Sequence, residues 1–166
     1  MATALVGAMK SSADEYRAVH REPAWRARAN FVIAAEIGGS RSHPEREQLW
    51  AKQIGDFRFE LCCIPFFVYD LALGDEVETD QHYVVRELVK ASGHCTFRVW
   101  FGESKNCSIQ EEVVDMAKGL GCEWEWSSAN LLAIDAATAA LAKKLADYLY
   151  ARQTAGHLMY ETGLTS

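Results

Sequence analysis

Between Cys95 and Glu161 the hydrophobic period changes repeatedly, and these changes constrain the fold more than any other feature of the chain. Cys95, Phe97, Val99 and Phe101 alternate with Thr96, Arg98 and Trp100, which is strand spacing. Ser108-Ile109-Gln110-Glu111 then has the form of a capping box, in which hydroxyl and carboxylate each accept a free backbone N–H. Val113, Val114, Met116, Ala117 and Leu120 follow at helical spacing, and Gly119 or Gly121 ends the helix. Cys122 to Trp126 and Leu131 to Ile134 read as strands around a turn at Ser127 to Asn130. Asp135 or Thr138 caps a second helix carrying Leu141, Leu145, Tyr148 and Leu149; Gly156 ends it, and His157 to Glu161 is a last strand. The order β-α-β-β-α-β is that of a ferredoxin-like module over residues 94–166.

Residues 30–93 are strand-like throughout. Candidate strands are Asn30 to Ile37, Glu47 to Ile54, Phe57 to Ile64, Glu76 to Thr79 and Tyr83 to Val89. In the third, Phe57, Phe59, Leu61 and Cys63 oppose Arg58, Glu60 and Cys62. Five short strands with tight turns predict a small barrel-like module, either a barrel or a rolled sheet. Between the third and fourth lies an apolar corner, Ile64 to Val77. Pro65 cannot donate to a ladder and closes the strand before it, while Gly74-Asp75 turns the chain into the next. Phe66, Phe67 and Leu71 read as core, and a buried Phe67 predicts a loss of about 3–5 kcal/mol on truncation to alanine. Residues 1–29 form a separate N-terminal extension, locally basic at Arg17, Arg21, Arg26 and Arg28, with a short helix expected over Ser12 to His20. The expected class is α+β: the β-barrel-like module packed on the ferredoxin-like one.

The net charge of −6 argues against nucleic acid and anionic membrane as partners, since both select a basic face. No window approaches the roughly 20 apolar residues of a membrane span. The apolar run Ala2 to Met9 lacks a basic stretch before it and makes a poor signal peptide. Five irregularly spaced cysteines then fit reduced thiols in a cytoplasmic protein.

His94 and Cys95 form the one arrangement of catalytic type, a Cys–His pair that would activate a thiolate if the side chains met. Neighbouring strand residues face opposite sides, which argues against a direct pair, though Cys63 or Cys122 could approach His94 across the fold. Glu123 and Glu125 share a face and read as exposed, with Trp124 and Trp126 inward. The spacing of a metal site is missing, as are the phosphate-loop, nucleophile-elbow and dinucleotide motifs, so neither metal nor cofactor is expected. Tyr69, Asp75, Arg98, Trp100 and Glu161 are the polar or aromatic residues best placed to bind a ligand or partner.

The motifs Leu49-Trp50, Ile64-Pro65-Phe66-Phe67, Gly74-Asp75-Glu76-Val77, Ser92-Gly93-His94, Thr96-Phe97-Arg98-Val99, Gly119-Leu120-Gly121-Cys122 and Leu131-Leu132-Ala133-Ile134-Asp135 resemble, in order and spacing, the DUF4265 family of bacterial domains of unknown function. The resemblance covers roughly residues 30–162 and implies a bacterial cytosolic protein with no established activity. The first functional expectation is therefore a non-catalytic binding or regulatory protein acting through a protein partner or homodimer, for example an immunity or biosynthetic-cluster accessory protein. The alternative is a small enzyme or ligand-binding protein, its pocket between the two modules and using His94 and Cys95.

Overall fold

The computed structural model describes residues 16–39, 44–103 and 107–162. Among these residues, two β-sheets and two helices make an α+β protein.

The first sheet is built from β1 (Tyr16–Ala18), β2 (Phe31–Gly39), β3 (Pro44–Gly55), β4 (Arg58–Leu61), β5 (Glu76–Thr79) and β6 (Val85–Lys90). The long β3 is its spine. It pairs antiparallel with β2 and β4 and parallel with β1, and β5 and β6 extend the sheet beyond β4. The sheet rolls until the Ala34 N–H of β2 donates to the Tyr83 carbonyl at 3.0 Å. It stays open, because β2 and β6 share no ladder beyond one bridge, Ala34 to Val84. Of the two forms expected from sequence, a small barrel or a rolled sheet, the closed barrel is therefore not reached. Ile33, Leu49, Phe59, Leu61 and Val77 fill the concave side.

The second sheet holds β7 (Cys95–Trp100), β8 (Glu123–Trp126), β9 (Leu131–Ala136) and β10 (Met159–Thr162), all antiparallel, in the order β10-β7-β9-β8. Helices α1 (Cys107–Gly119) and α2 (Ala139–Thr154) cover one face. Val113 and Ala117 of α1, and Leu145 and Leu149 of α2, each four apart, are buried on Phe97, Val99, Leu132 and Ile134. Thr138 caps α2, its hydroxyl accepting the Leu141 N–H at 3.2 Å. Gly156 follows at φ +81°, the left-handed exit a helix C-terminus favours. Helix α1 starts at Cys107, so Ser108 lies inside its first turn rather than before it.

The opposite face of this sheet meets the corner. Ile64, Phe66 and Leu73 pack with Ala133 of β9 and Ala18 of β1. Gly74 lies at φ +84°, and a Cβ there would sit 3.2 Å from both Ser92 and the Trp25 ring. Two expectations change here. The fully buried aromatic is Phe66, with Phe67 only half-buried. Residues 16–18 are strand rather than helix, because pairing with Arg46 and Glu47 on β3 overrides weak local helix preference; residues 12–15 of the expected helix lie outside the described residues.

Candidate functional site

The segment Ile64 to Val68 passes between the sheets without belonging to either, so its buried N–H and C=O groups need partners from elsewhere. Charged side chains supply them. Glu47, in phase with Leu49 and Ala51 on β3, points inward; its carboxylate accepts the N–H groups of Phe66, Phe67 and Val68 at 2.6, 2.9 and 3.0 Å. Glu125 of β8 accepts the N–H groups of Ile64 at 2.5 Å and Ala24 at 3.2 Å. Arg98 of β7 takes the carbonyls: Nε donates to Phe66, and Nη2 to Pro65 and Val68 at 3.0 Å each.

His20 joins the two carboxylates, with Nδ1 2.7 Å from Glu125 and Nε2 2.8 Å from Glu47, and its ring stacks on Phe66 with centroids 4.1 Å apart. Both ring nitrogens face acceptors, so both must donate and the ring is an imidazolium. Two carboxylates, one imidazolium and one guanidinium leave the buried set neutral, the condition under which burying charges is tolerable. Burial alone lowers the His20 pKa; Cys63, Glu125 and Glu47 reverse this and hold it well above the usual imidazole value. The two carboxylates supply the negative charge, since burial pushes the Cys63 thiol up and keeps it neutral.

This raised pKa carries a pH dependence. Between the unfolded and folded pKa of His20 the native state holds more protons, so stability falls as pH rises. The His20 contribution is complete below about pH 6.5 and is lost as pH climbs through the folded value. Thermal unfolding across pH 6 to 10 should show an alkaline decline that His20→Gln flattens. An imidazole NMR signal titrating near the free value would contradict the assignment.

The residues singled out from sequence fall into separate groups. Arg98, Tyr69 and Glu161 come together: the guanidinium carbon is 4.7 Å from the Tyr69 ring centroid, and the Tyr69 hydroxyl donates to Glu161 at 2.7 Å. Trp100 lies further along β7, opposite Met159 of β10; the two side chains are 40% and 65% exposed. His94 sits before β7, its Nδ1 2.7 Å from the Asp135 carboxylate and its ring edge-on to Trp25. Burial raises the Asp135 pKa to about 6 despite the His94 partner. Cys95 packs instead into the helix-side core, and burial followed by the nearby Asp135 pushes its thiol up, the reverse of an activated nucleophile. Neither cysteine offered as a long-range partner reaches hydrogen-bond distance of His94; Cys63 lies beside His20. Asp75 is buried and structural, accepting the N–H groups of Ala72 at 2.8 Å and Ser92 at 2.7 Å. Glu125, expected to be exposed, is 3% accessible, whereas Trp126 is 37% accessible.

A groove of about 760 Å³ lies elsewhere, along β8, and none of His94, Cys95, Arg98, Tyr69 or Glu161 lines it. Among the described residues no cluster of three or more metal-ligating side chains is present.

A family model described as a domain of unknown function (DUF4265) matches residues 47–160, well over half of the chain. The chain belongs to the DUF4265 family. The matched span opens at Glu47 and holds Arg98 and Glu125, three of the four charges of this cluster, while His20 lies before it. A solved structure, described as a hypothetical protein from Neisseria gonorrhoeae, is similar to this DUF4265 protein with a TM-score of 0.67 and 20% identity, over 80% of this chain and 93% of that one. At that identity the likeness concerns the fold alone. No curated protein matches.

Proposed function

We propose that this DUF4265 protein is a non-catalytic binding or regulatory protein, acting through a protein partner or as a homodimer. One observation carries the reading: the ionisable groups that chemistry would need are engaged in holding the chain together. Arg98 serves three carbonyls, Glu47 three N–H groups, and Asp75 a turn. The outer surface in turn carries cross-strand Trp100 and Met159, both solvent-exposed. An immunity or accessory role within a gene cluster is one form this reading takes. We read the fold in the same terms, the first sheet as barrel-like and the second as ferredoxin-like; the strand order β10-β7-β9-β8 supports the latter.

Light scattering after size exclusion, together with capture from the native host, tests the proposal. We expect a dimer or a specific partner, lost in a Trp100→Glu, Met159→Glu double variant. A strict monomer that captures nothing overturns it. A second reading, a small enzyme or ligand-binding protein using His94, is favoured only by the His94–Asp135 contact, which orients an imidazole whose side chain is 16% accessible.

A further inference from the structure

Among the described residues, strand β8 is an edge of the second sheet and bonds to β9 alone. The phase of that ladder decides which backbone groups are left over. The Ser127 N–H donates to the Leu131 carbonyl at 2.9 Å, and in an antiparallel pair every second residue exchanges both bonds with its partner. Glu125 therefore bonds to Ala133 and Glu123 to Asp135, while the N–H and C=O of Trp124 and Trp126 point away from the sheet. Cys122 agrees with this phase, since its outward N–H donates to Ala117 of α1. No described residue bonds to the outward groups of Trp124 or Trp126.

The groove runs along this edge. Arg21 and Glu22 form its wall on the Glu125 side, and Cys107 and Gln110 at the start of α1 form the wall on the Trp124 side. The Gln110 amide donates to the Ala129 carbonyl at 3.0 Å and ties α1 to the β8–β9 hairpin at one end.

We propose that β8 accepts an extended peptide segment of a partner protein as the fifth strand of this sheet, with apolar residues over Trp124 and Trp126 alternating with basic residues. This rests on the binding reading above and gives the partner a second contact, at the opposite edge of the sheet from Trp100 and Met159. The two walls favour a bare peptide over a second copy. A second β8 would bring its own pair of walls to the roughly 4.8 Å spacing of a ladder, where a bare strand brings none. Charge sets the polar positions: among the described residues of β8 and of the groove lining, Glu22 and Glu123 are exposed carboxylates against one cation, Arg21, because Glu125 is already paired with His20. Main-chain bonds then supply affinity and alternate side chains supply selectivity, as in strand addition generally.

The probe is a fluorescein-labelled, end-capped heptapeptide alternating valine and lysine, read by fluorescence anisotropy on the full chain. It is compared with a glutamate-for-lysine analogue and with one N-methylated at every second residue. We expect saturable binding that weakens about tenfold for the glutamate analogue and vanishes on N-methylation, which removes the ladder donors. Trp126→Pro deletes one outward N–H without touching a β8–β9 bond and should weaken binding about tenfold, whereas Trp126→Ala keeps that N–H and should weaken it far less. If Trp126→Pro fails to fold, the N-methyl comparison on the unaltered chain still decides. Absence of binding at about 1 mM overturns the proposal, and so does binding that N-methylation leaves unchanged, which would be adsorption of a cation on an acidic protein. Either failure alongside a captured partner or a dimer leaves the binding reading intact; a strict monomer that captures nothing removes that reading separately.

Discussion

Glu47→Ala should unfold this protein or bring it close to unfolding. The substitution removes one carboxylate and strands four donors: the N–H groups of Phe66, Phe67 and Val68, and His20 Nε2. Breaking one side of a buried charged pair costs about 3–5 kcal/mol, and each buried donor left without an acceptor adds about 1–3 kcal/mol where water cannot reach it. Typical domain stabilities are only about 5–15 kcal/mol, so the sum is comparable with the whole. Equilibrium urea unfolding measures it. Glu47→Gln is the informative companion: it keeps one acceptor oxygen, sets an NH₂ group against N–H donors and removes the charge that holds His20 protonated. It should also fall well below the parent, with its alkaline decline weakened. A Glu47→Ala midpoint within about 0.5 kcal/mol of the parent, the range of ordinary surface substitutions, would mean that the corner does not depend on this carboxylate.

Phe66→Ala should cost about 3–5 kcal/mol and Phe67→Ala distinctly less. Phe66 is 1% accessible and fills the space between the corner and β9, with Ile64, Leu73 and Ala133 around it and the His20 ring stacked on it. Truncation opens a cavity on the one face where the two sheets meet and also opens space beside a buried imidazolium. Half-buried Phe67 can lose its ring with partial collapse of its neighbours. The pair of urea midpoints checks the ordering; equal losses, or a larger loss at Phe67, would overturn the packing described for this corner.

The two predictions bear on what binding this protein could perform. The charged cluster is buried, and each of its four members is bonded to another part of the chain. It fixes the relative placement of β3, β7, β8 and the segment after β1. The β8 edge and the Arg21–Glu22 wall of its groove are held in register by that same cluster, through Glu125 and His20. Disturbing Glu47 should therefore disturb the groove from a distance, whereas surface changes at Trp100 or Met159 should leave it intact.

Much of the fold was legible because period is a local property. The strand and helix segments of residues 95–162 could be ordered from spacing alone, and Thr138 and Gly156 marked the ends of α2. Glu47 carried a readable signal as well: in the run Glu47-Gln48-Leu49-Trp50-Ala51 it shares the phase of Leu49 and Ala51, so alternation already turned it inward. Glu125 had no such signal. Both faces of the second sheet are covered, one by helices and one by the corner, and alternation cannot distinguish two buried faces. Phe66 and Phe67 could not be ranked, because an irregular corner has no period. The three-residue strand β1 exists only through its pairing with β3.

The sequence by itself determined the order of the elements from β2 onward, the α+β class and the family, since these depend on residues near one another in the chain. Only the tertiary structure decided where the charges go. His20 and Glu125 are 105 positions apart, and the corner they help hold borrows its hydrogen-bond partners from three different strands. The physical reason is that satisfying buried backbone polar groups is a requirement of the assembled interior, felt only once the sheets have closed over the corner and excluded water.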